Sequence, residues 1–594
     1  HLAGDPALTE HLAERARTAW VRRGDKGLRR LAEAWDGRLG RFGEVAFLLE
    51  PDLKEGRGGL RDVHALEWAE VITPVLLEGD GRDLEAAESV LLEARVALHQ
   101  VTGRAGDRLT LQEQDAVATA LDRDADDLRR AVSDAARTIC WIADETWDRV
   151  VAGTSSRSRP VDAGDGLVVV DGHLHLTGEA DPGHDPTLLL RAAATAAREE
   201  IRLDRLTLDR LAWDTPPFPD PWPEGAREAF VDLLLAGPAA LDVLEALDRR
   251  DLMTRILPEW APVRSRPQRN AYHQFTVDRH LWETAVQAAA LADRVERPDL
   301  LVLGALLHDL GKGYPGDHSE VGMELATRIG RRMGCPPEDV DVLGALVRHH
   351  LLLPDVATRR DPDDEATLRH VADRVGSVGT LALLGVLTEA DSIATGSAAW
   401  GPWKAELVTV LVERTAALLQ RGEVSGRTFP DAGQRELMDR GDRVVLGEDD
   451  RLTVVTPDRP GVFSRLAGVL AIEGLEVLMA QAASEDGMAL SVFRVRPRHG
   501  QEVDWERVGS RVEAALDGRL ALQARVADHA RTYDRDEVAE AEPAPPEVRT
   551  DNEASGSATV IEVHAPDRTG LLYRITRALA DLDLDVRSAM VLSL

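Results

Sequence analysis

LLVLGALLHDLGKG, residues 300–313, decides the reading of this chain. A strongly apolar run ends there on a His-Asp pair, followed by Gly311, Lys312 and Gly313. A His-Asp pair alone means little, and His184-Asp185 stands in a Gly/Pro turn with nothing comparable around it. Around His308-Asp309 the context differs. His280 lies upstream in FTVDRHLWETA (275–285). Downstream come His318 in GDHSEVG (316–322), His349-His350 in ALVRHHLLL (345–353) and Asp391 in GVLTEADSIATG (385–396). Each sits on or at the end of an apolar periodic segment. Each is therefore expected to project from a helix into one interior.

Imidazole and carboxylate bind divalent ions, the carboxylate and water favouring the harder ones. A metal with open positions polarises a phosphate and lowers the pKa of a bound water. His280, His308, Asp309 and Asp391 are expected to hold one ion. His318, His349 and His350 are candidates for a second, with Asp309 bridging. Mg²⁺ or Mn²⁺ is expected, as one or two ions. Lys312, one turn past His308, is placed to steady a phosphate oxygen. Asp309, Lys312 and His308 are thus the candidate catalytic residues. The order H, HD, H, HH, D resembles the HD-domain phosphohydrolases.

At 594 residues the chain is too long for one core and implies about four domains. No segment reads as a transmembrane helix of about 20 apolar residues. The first residues, HLAGDPALTEHLAERA, lack the apolar core of a signal peptide. Cys140 and Cys335 are far apart and without partners at metal spacing, which fits a reducing cytoplasm. The net charge of −33 argues against nucleic acid as a partner, because phosphate binding needs a cationic surface. Only Lys26, Lys54, Lys312 and Lys404 are lysines; the other basic residues are Arg. Two of these four, Lys54 and Lys312, stand inside motifs, and Lys and Arg are not equivalent at a phosphate site.

Residues 1–152 read as mostly helical, with periodicity such as LEAAESVLLEARVALHQV (84–101). Within them EPDLKEGRGGLRDVHAL (50–66) is a glycine-rich loop between helices. It is a surface turn by its glycines, and a possible phosphate loop by Lys54, Arg57 and Arg61. Residues 153–260 form a connecting domain: a linker-like run, TSSRSRPVDAGDG (154–166), then a hairpin in GLVVVDGHLHLTGEA (166–180), then helices. Residues 261–422 carry the histidine constellation.

Beyond residue 448 a pattern occurs twice. LTVVTPDRPGVFSRLAGVLAIEGLEVLMAQAASEDGMALSVFRV (452–495) matches TVIEVHAPDRTGLLYRITRALADLDLDVRSAMVLSL (559–594). Pro457-Asp458-Arg459 aligns with Pro566-Asp567-Arg568, and Gly461 with Gly570, at one constant offset. Each copy reads strand, tight loop, amphipathic helix, strand. The repeats resemble ACT domains, small ferredoxin-like modules. Their loop presents backbone N–H groups at a helix N-terminus, which suits a carboxylate. The expected domains are 448–530, a flexible linker at 531–557, and an incomplete second copy at 558–594. The fold class expected is therefore multidomain: mainly α at first, with an all-α HD domain, then α+β ferredoxin-like ACT modules.

EPDLKEGRGGLRD, the HD motifs, RHH and two ACT-like repeats together resemble the bifunctional PII uridylyltransferase/uridylyl-removing enzymes. VDLLLAGPAALDVLEALDRRDLMTRILPEW (231–260) extends the resemblance over nearly all the chain. In that family one domain attaches a nucleotidyl group to a tyrosine of the PII signal protein, the HD domain removes it, and the ACT domains sense glutamine. The resemblance implies PII as partner and glutamine as effector, held by Asp458, Arg459 and Gly461 with Asp567, Arg568 and Gly570. It implies a cytoplasmic enzyme with no nucleic acid and no membrane insertion. One departure matters. The Gly loop and paired Asp of the transferase are not found; LDRDADDLRR (121–130) has the acids but no Gly loop before it. The expectation is a chain cut at both ends, keeping the hydrolytic half. Whether the group removed is UMP or AMP is open. Two other readings compete: a non-catalytic glutamine-sensing regulatory protein, and a guanosine tetraphosphate hydrolase-like enzyme.

Overall fold

The computed structural model describes every residue except 1–5, 153–158, 269–272, 363, 397–398, 423–428, 499–501, 534–544, 557, 567, 585, 587–588, 590 and 592–594. The chain divides into two compact units, residues 1–351 with 379–402, and residues 352–378 with 403–594.

The first unit is mainly helical. Helices Asp80–Thr102 and Ala125–Ala152 lie side by side, with Leu60–Ile72 and Leu111–Ala120 against the latter. Leu84, Ala87, Leu91, Ala94 and Leu98 recur three or four apart and are buried, the pattern of one helical face on a core. A Thr110–Glu113 capping box starts Leu111–Ala120. The loop at 50–59 is pressed onto Ala125–Ala152. Gly58 has φ +80°, and a Cβ there would lie 2.6 Å from the Ala136 carbonyl oxygen. Only glycine fits both demands.

Next comes a small sheet in the order Val161–Gly164, Leu167–Val170, His173–Leu176, Arg202–Leu203. The linker-like reading of 154–166 therefore needs correction in its second half. Val161–Gly164 pairs antiparallel with Leu167–Val170 around Asp165-Gly166, both at positive φ. An Asp-Gly pair of this kind makes the two-residue turn whose twist matches its strands. Residues 153–158 of that stretch lie outside the described residues.

Helices Val277–Ala290, Pro298–Leu307, His318–Arg332, Pro337–Arg348 and Val378–Thr395 follow. Trp282 of the first stacks on Trp260 with ring centroids 5.6 Å apart and meets Phe47 edge-on at 6.3 Å. Val378–Thr395 is long and apolar enough to cross a membrane by length and composition, which the sequence reading did not anticipate. Here it is a core helix, with Leu381, Leu384, Leu387 and Ala390 buried.

In the second unit a four-stranded antiparallel sheet runs in the order Val444–Glu448, Arg451–Pro457, Met488–Pro497, Leu475–Glu485. Helices Val462–Ile472 and Trp505–Leu516 cover one face, burying Leu466, Leu470, Val508 and Val512 with Phe493 and Val454. The edge strand Val444–Glu448 precedes the repeat and joins it by a hairpin turn in which Asp449 has φ +49°.

The second repeat gives the strand Val560–His564 and the helix Leu571–Asp581. Val560–His564 pairs with Glu547–Asp551, which falls inside the stretch expected to be a flexible linker. The β-branched Val548 and Thr550 suit a strand once a partner is present. The two repeats also meet directly: Tyr573 is buried, and its ring lies 2.9 Å from where a Cβ on Gly468 would be. Gly468 therefore lets the helices Val462–Ile472 and Leu571–Asp581 approach closely.

Candidate metal centre

Six histidine and aspartate side chains foreseen in the sequence converge in the first unit. His280 comes from one turn into Val277–Ala290, His308 from the C-terminal cap of Pro298–Leu307, and Asp391 from Val378–Thr395. His318 opens its helix, fixed there by Asp317, whose carboxylate accepts from the Ser319 and Glu320 N–H groups. The turn after Asp309 lies directly on that helix. A Cβ on Gly311 would stand 2.0 Å from the His318 carbonyl oxygen and 2.8 Å from the Gly322 nitrogen. Glycine at 311 is what brings His318 beside Asp309.

Asp309 stands between two groups of imidazoles. Its Oδ2 lies 3.6 Å from His280 Nε2 and 3.5 Å from His308 Nε2. Its Oδ1 lies 3.8 Å from His318 Nε2 and 3.6 Å from His350 Nε2. Asp391 Oδ1 completes the first group, 3.0 Å from His280 Nε2 and 3.5 Å from His308 Nε2. His308 Nδ1 is 2.8 Å from the Ala305 carbonyl and His350 Nδ1 2.7 Å from the Val347 carbonyl. A carbonyl only accepts, so each Nδ1 carries a proton and each Nε2 faces the cluster.

The electrostatics follow from burial and charge. Burial opposes a charge on His308, but Asp309 and Asp391 overcome it and push its pKa up to about 10. Burial would raise Asp309 and Asp391 too, yet Lys312 and His308 for the former, and His308 and His280 for the latter, hold both well below the usual carboxylate range. His350 goes the other way, down to about 4, through burial. The residues fit a divalent ion. Asp309 Oδ1 is buried and accepts no hydrogen bond, and the ligand atoms form the groups His280–His308–Asp391 and Asp309–His318–His350, each within 4.8 Å. A shared ion satisfies such converging acceptors where hydrogen bonds do not.

Two details differ from the sequence reading. His349, expected beside His350, caps the C-terminus of Pro337–Arg348 and belongs to none of these groups among the described residues. His273, not foreseen, joins His280 and Asp309 in a third group. It precedes its helix in an extended segment, where no periodicity marks it. Burial and Lys312 lower its pKa to about 4. Lys312 Nζ is 2.5 Å from Asp309 Oδ2 and 2.8 Å from Gln268 Oε1.

The other candidates lie apart from this cluster. Lys54 pairs with Asp107 at 3.3 Å, Arg57 with Asp144 at 2.7 Å and Arg61 with Glu55 at 3.0 Å, so each cation of the 50–61 loop meets an acid of the same chain. In the second unit Asp458 and Arg459 are exposed at the turn before Gly461, which has φ +84° and caps Val462–Ile472. Gly570 does the same at φ +76° for Leu571–Asp581, with Arg568 exposed before it. Asp567 lies outside the described residues.

Comparison with known proteins agrees with this layout. Residues 26–145 match the family model described as GlnD PII-uridylyltransferase, and residues 277–376 match the HD domain. The HD match includes His280, His308, Asp309, His318 and His350 and stops short of Asp391. A bifunctional uridylyltransferase/uridylyl-removing enzyme of Streptomyces coelicolor is 42% identical over 100% of this chain and 79% of its own length. Its namesake in Mycobacterium tuberculosis is 39% identical over 98% of this chain and 76% of its own. That of Gluconobacter oxydans is 30% identical over 93% and 70%. Likeness at this level, running from the 26–145 segment through the HD cluster and the repeats, places the chain in the family of bifunctional uridylyltransferase/uridylyl-removing enzymes.

Proposed function

We propose that the cluster around Asp309 is the uridylyl-removing site, hydrolysing the phosphodiester that links a nucleotidyl group to a tyrosine of PII. The observation that carries this reading is the position of Asp309, one oxygen toward His280 and His308 and the other toward His318 and His350. His280, His308 and Asp391 would hold one ion, His318 and His350 a second, with Asp309 common to both. A divalent ion bound there supplies Lewis acidity and a water that ionises near neutral pH. The chain's own part is to fix ligand orientation through the Ala305 and Val347 carbonyls and to keep Asp309 ionised beside Lys312. The high share of imidazole favours Mn²⁺ over Mg²⁺. Stripping the protein with a chelator should stop UMP release from uridylylated PII, and Mn²⁺ should restore it at lower concentration than Mg²⁺. Full release after exhaustive chelation would remove the metal from the mechanism.

We further propose that glutamine controls this activity through the loops Asp458–Gly461 and Asp567–Gly570. Both glycines cap helices at positive φ, a helix N-terminus suits a carboxylate, and the two helices pack against each other. A ligand shifts activity only by its difference in affinity between states. Glutamine is expected to raise the rate of UMP release, and Asp458→Ala to flatten that response. A glutamine response in Asp458→Ala equal to wild type would take this loop out of the sensor.

A further inference from the structure

We propose that Arg266 is the residue that recognises the anionic group of the substrate at this site, pairing its guanidinium with the phosphate of a nucleoside monophosphate unit. The proposal rests on the reading of the Asp309 cluster as the hydrolytic site. A cavity of about 420 Å³ opens beside the cluster, lined by Arg266, Pro267, Gln268, His273, Lys312 and His318 among others. That volume lies in the range of small-molecule sites.

Among the described residues two full cations, Arg266 and Lys312, line the cavity, and one of them is already engaged. An ammonium has three donors. Lys312 Nζ has Asp309 Oδ2 at 2.5 Å, Gln268 Oε1 at 2.8 Å and His273 Nε2 at 3.5 Å around it. The expectation that Lys312 meets a phosphate therefore competes with three partners it already has.

Arg266 is half-buried and has no carboxylate at ion-pair distance among the described residues. Its neighbours in sequence show how unusual that is in a chain of net charge −33. Arg264 pairs with Asp251 at 2.6 Å and Asp248 at 2.9 Å, and Arg279 with Glu283 at 2.8 Å and Glu44 at 3.1 Å. Residues 269–272, RNAY, add no acid in sequence.

The backbone of Arg266 is fixed at both ends. Its N–H donates to the Val263 carbonyl at 3.1 Å, and its carbonyl accepts from Val277 N–H at 2.9 Å, at the start of the helix that carries His280. The guanidinium thus hangs from the same frame as the candidate ligands, an arrangement that lowers the ordering cost of binding. Its planar fork matches two phosphate oxygens, which a lysine does not. Asp309 and Asp391 repel an incoming phosphodiester, and a cation at the cavity wall offsets that repulsion. Pro267 and Val277 add apolar surface for a sugar or base.

The test uses the full chain loaded with Mn²⁺, and UMP as probe. Arg266→Met removes charge and fork at similar length; Arg266→Lys keeps the charge alone. UMP affinity by calorimetry should fall about ten- to a hundredfold in Arg266→Met and recover only in part in Arg266→Lys. KM for uridylylated PII should rise by a similar factor while kcat changes by less than about threefold. Bound Mn²⁺ per chain should stay at the wild-type value. Wild-type UMP affinity in Arg266→Met, no UMP binding by the wild type, or loss of Mn²⁺ along with UMP would each overturn the assignment. Asp309→Ala separates the two readings. If it hydrolyses normally, the site itself is wrong; if it is inactive while Arg266→Met is normal, only the role of Arg266 falls.

Discussion

Replacing Asp309 by Ala should leave less than about 1% of wild-type UMP release from uridylylated PII, with metal supplied in excess. Among the described residues Asp309 is the one side chain whose two oxygens face both imidazole groups, at 3.5 to 3.8 Å. No neighbour can replace it, since Asp391 reaches only His280 and His308. The substitution also takes the carboxylate from Lys312 and one of two from His308, so folding has to be checked beside activity. Asp309→Asn keeps the shape and loses the charge, and should be nearly as inactive. Exposed His184, from the isolated His-Asp pair, is the control, and His184→Ala should behave as wild type. A folded, metal-supplied Asp309→Ala protein with more than half the wild-type rate would exclude the cluster from the chemistry.

The cluster was legible because its members sit on or at the ends of apolar periodic segments, and His308 and Asp309 end one, where a polar ligand can sit without breaking the core. His308 and Asp309 follow eight buried residues, Leu300 to Leu307. The same logic failed for His349. Neighbouring residues at a helix C-terminus point about 100° apart, and here His350 faces the cluster while His349 caps the helix end. It failed again for His273, in an extended segment held by contacts with residues 47–49 that no local pattern announces. In the second unit the strand–turn–helix pattern of the repeats was readable from Pro-Asp-Arg and Gly461. The strands Val444–Glu448 and Glu547–Asp551 were not, because a short edge strand exists only through its partner. The loop at 50–61 shows the limit of composition. Its three basic residues suggest phosphate, and the fold gives each an acid.

Arg137 is expected to be the most costly single residue to remove from the scaffold under the site. It sits on Ala125–Ala152, within the segment matched by the uridylyltransferase model, 2% exposed. Its Nε donates to Glu245 Oε1 at 2.7 Å, its Nη2 bonds Asp248, and its Nη1 lies 3.6 Å from Asp278 Oδ2. Asp248 and Asp278 are both fully buried. Asp278 opens the helix that carries His280 two residues later. The same junction is tied by the backbone: Thr276 N–H donates to the Phe47 carbonyl at 2.9 Å and Leu49 N–H to the Gln274 carbonyl at 3.0 Å. Ser133, one turn before Arg137, donates to the Ala46 carbonyl at 2.6 Å. The Asp309 cluster is therefore built onto the segment matched by the uridylyltransferase model. Arg137→Met keeps the volume but leaves Asp278 without an ion-pair partner among the described residues, while Asp248 keeps Arg264 at 2.9 Å and Glu245 is partly exposed. Breaking a buried pair from one side costs about 3–5 kcal/mol, because the charge left behind has no water. The unfolding transition that reports the first unit should shift down accordingly. Mn²⁺ affinity should weaken with it, since the start of the His280 helix loses its anchor. Adding Asp278→Asn to Arg137→Met removes the stranded charge and should return part of the stability. An Arg137→Met protein that unfolds within about 1 kcal/mol of wild type, and binds Mn²⁺ equally well, would show that the two segments stand independently.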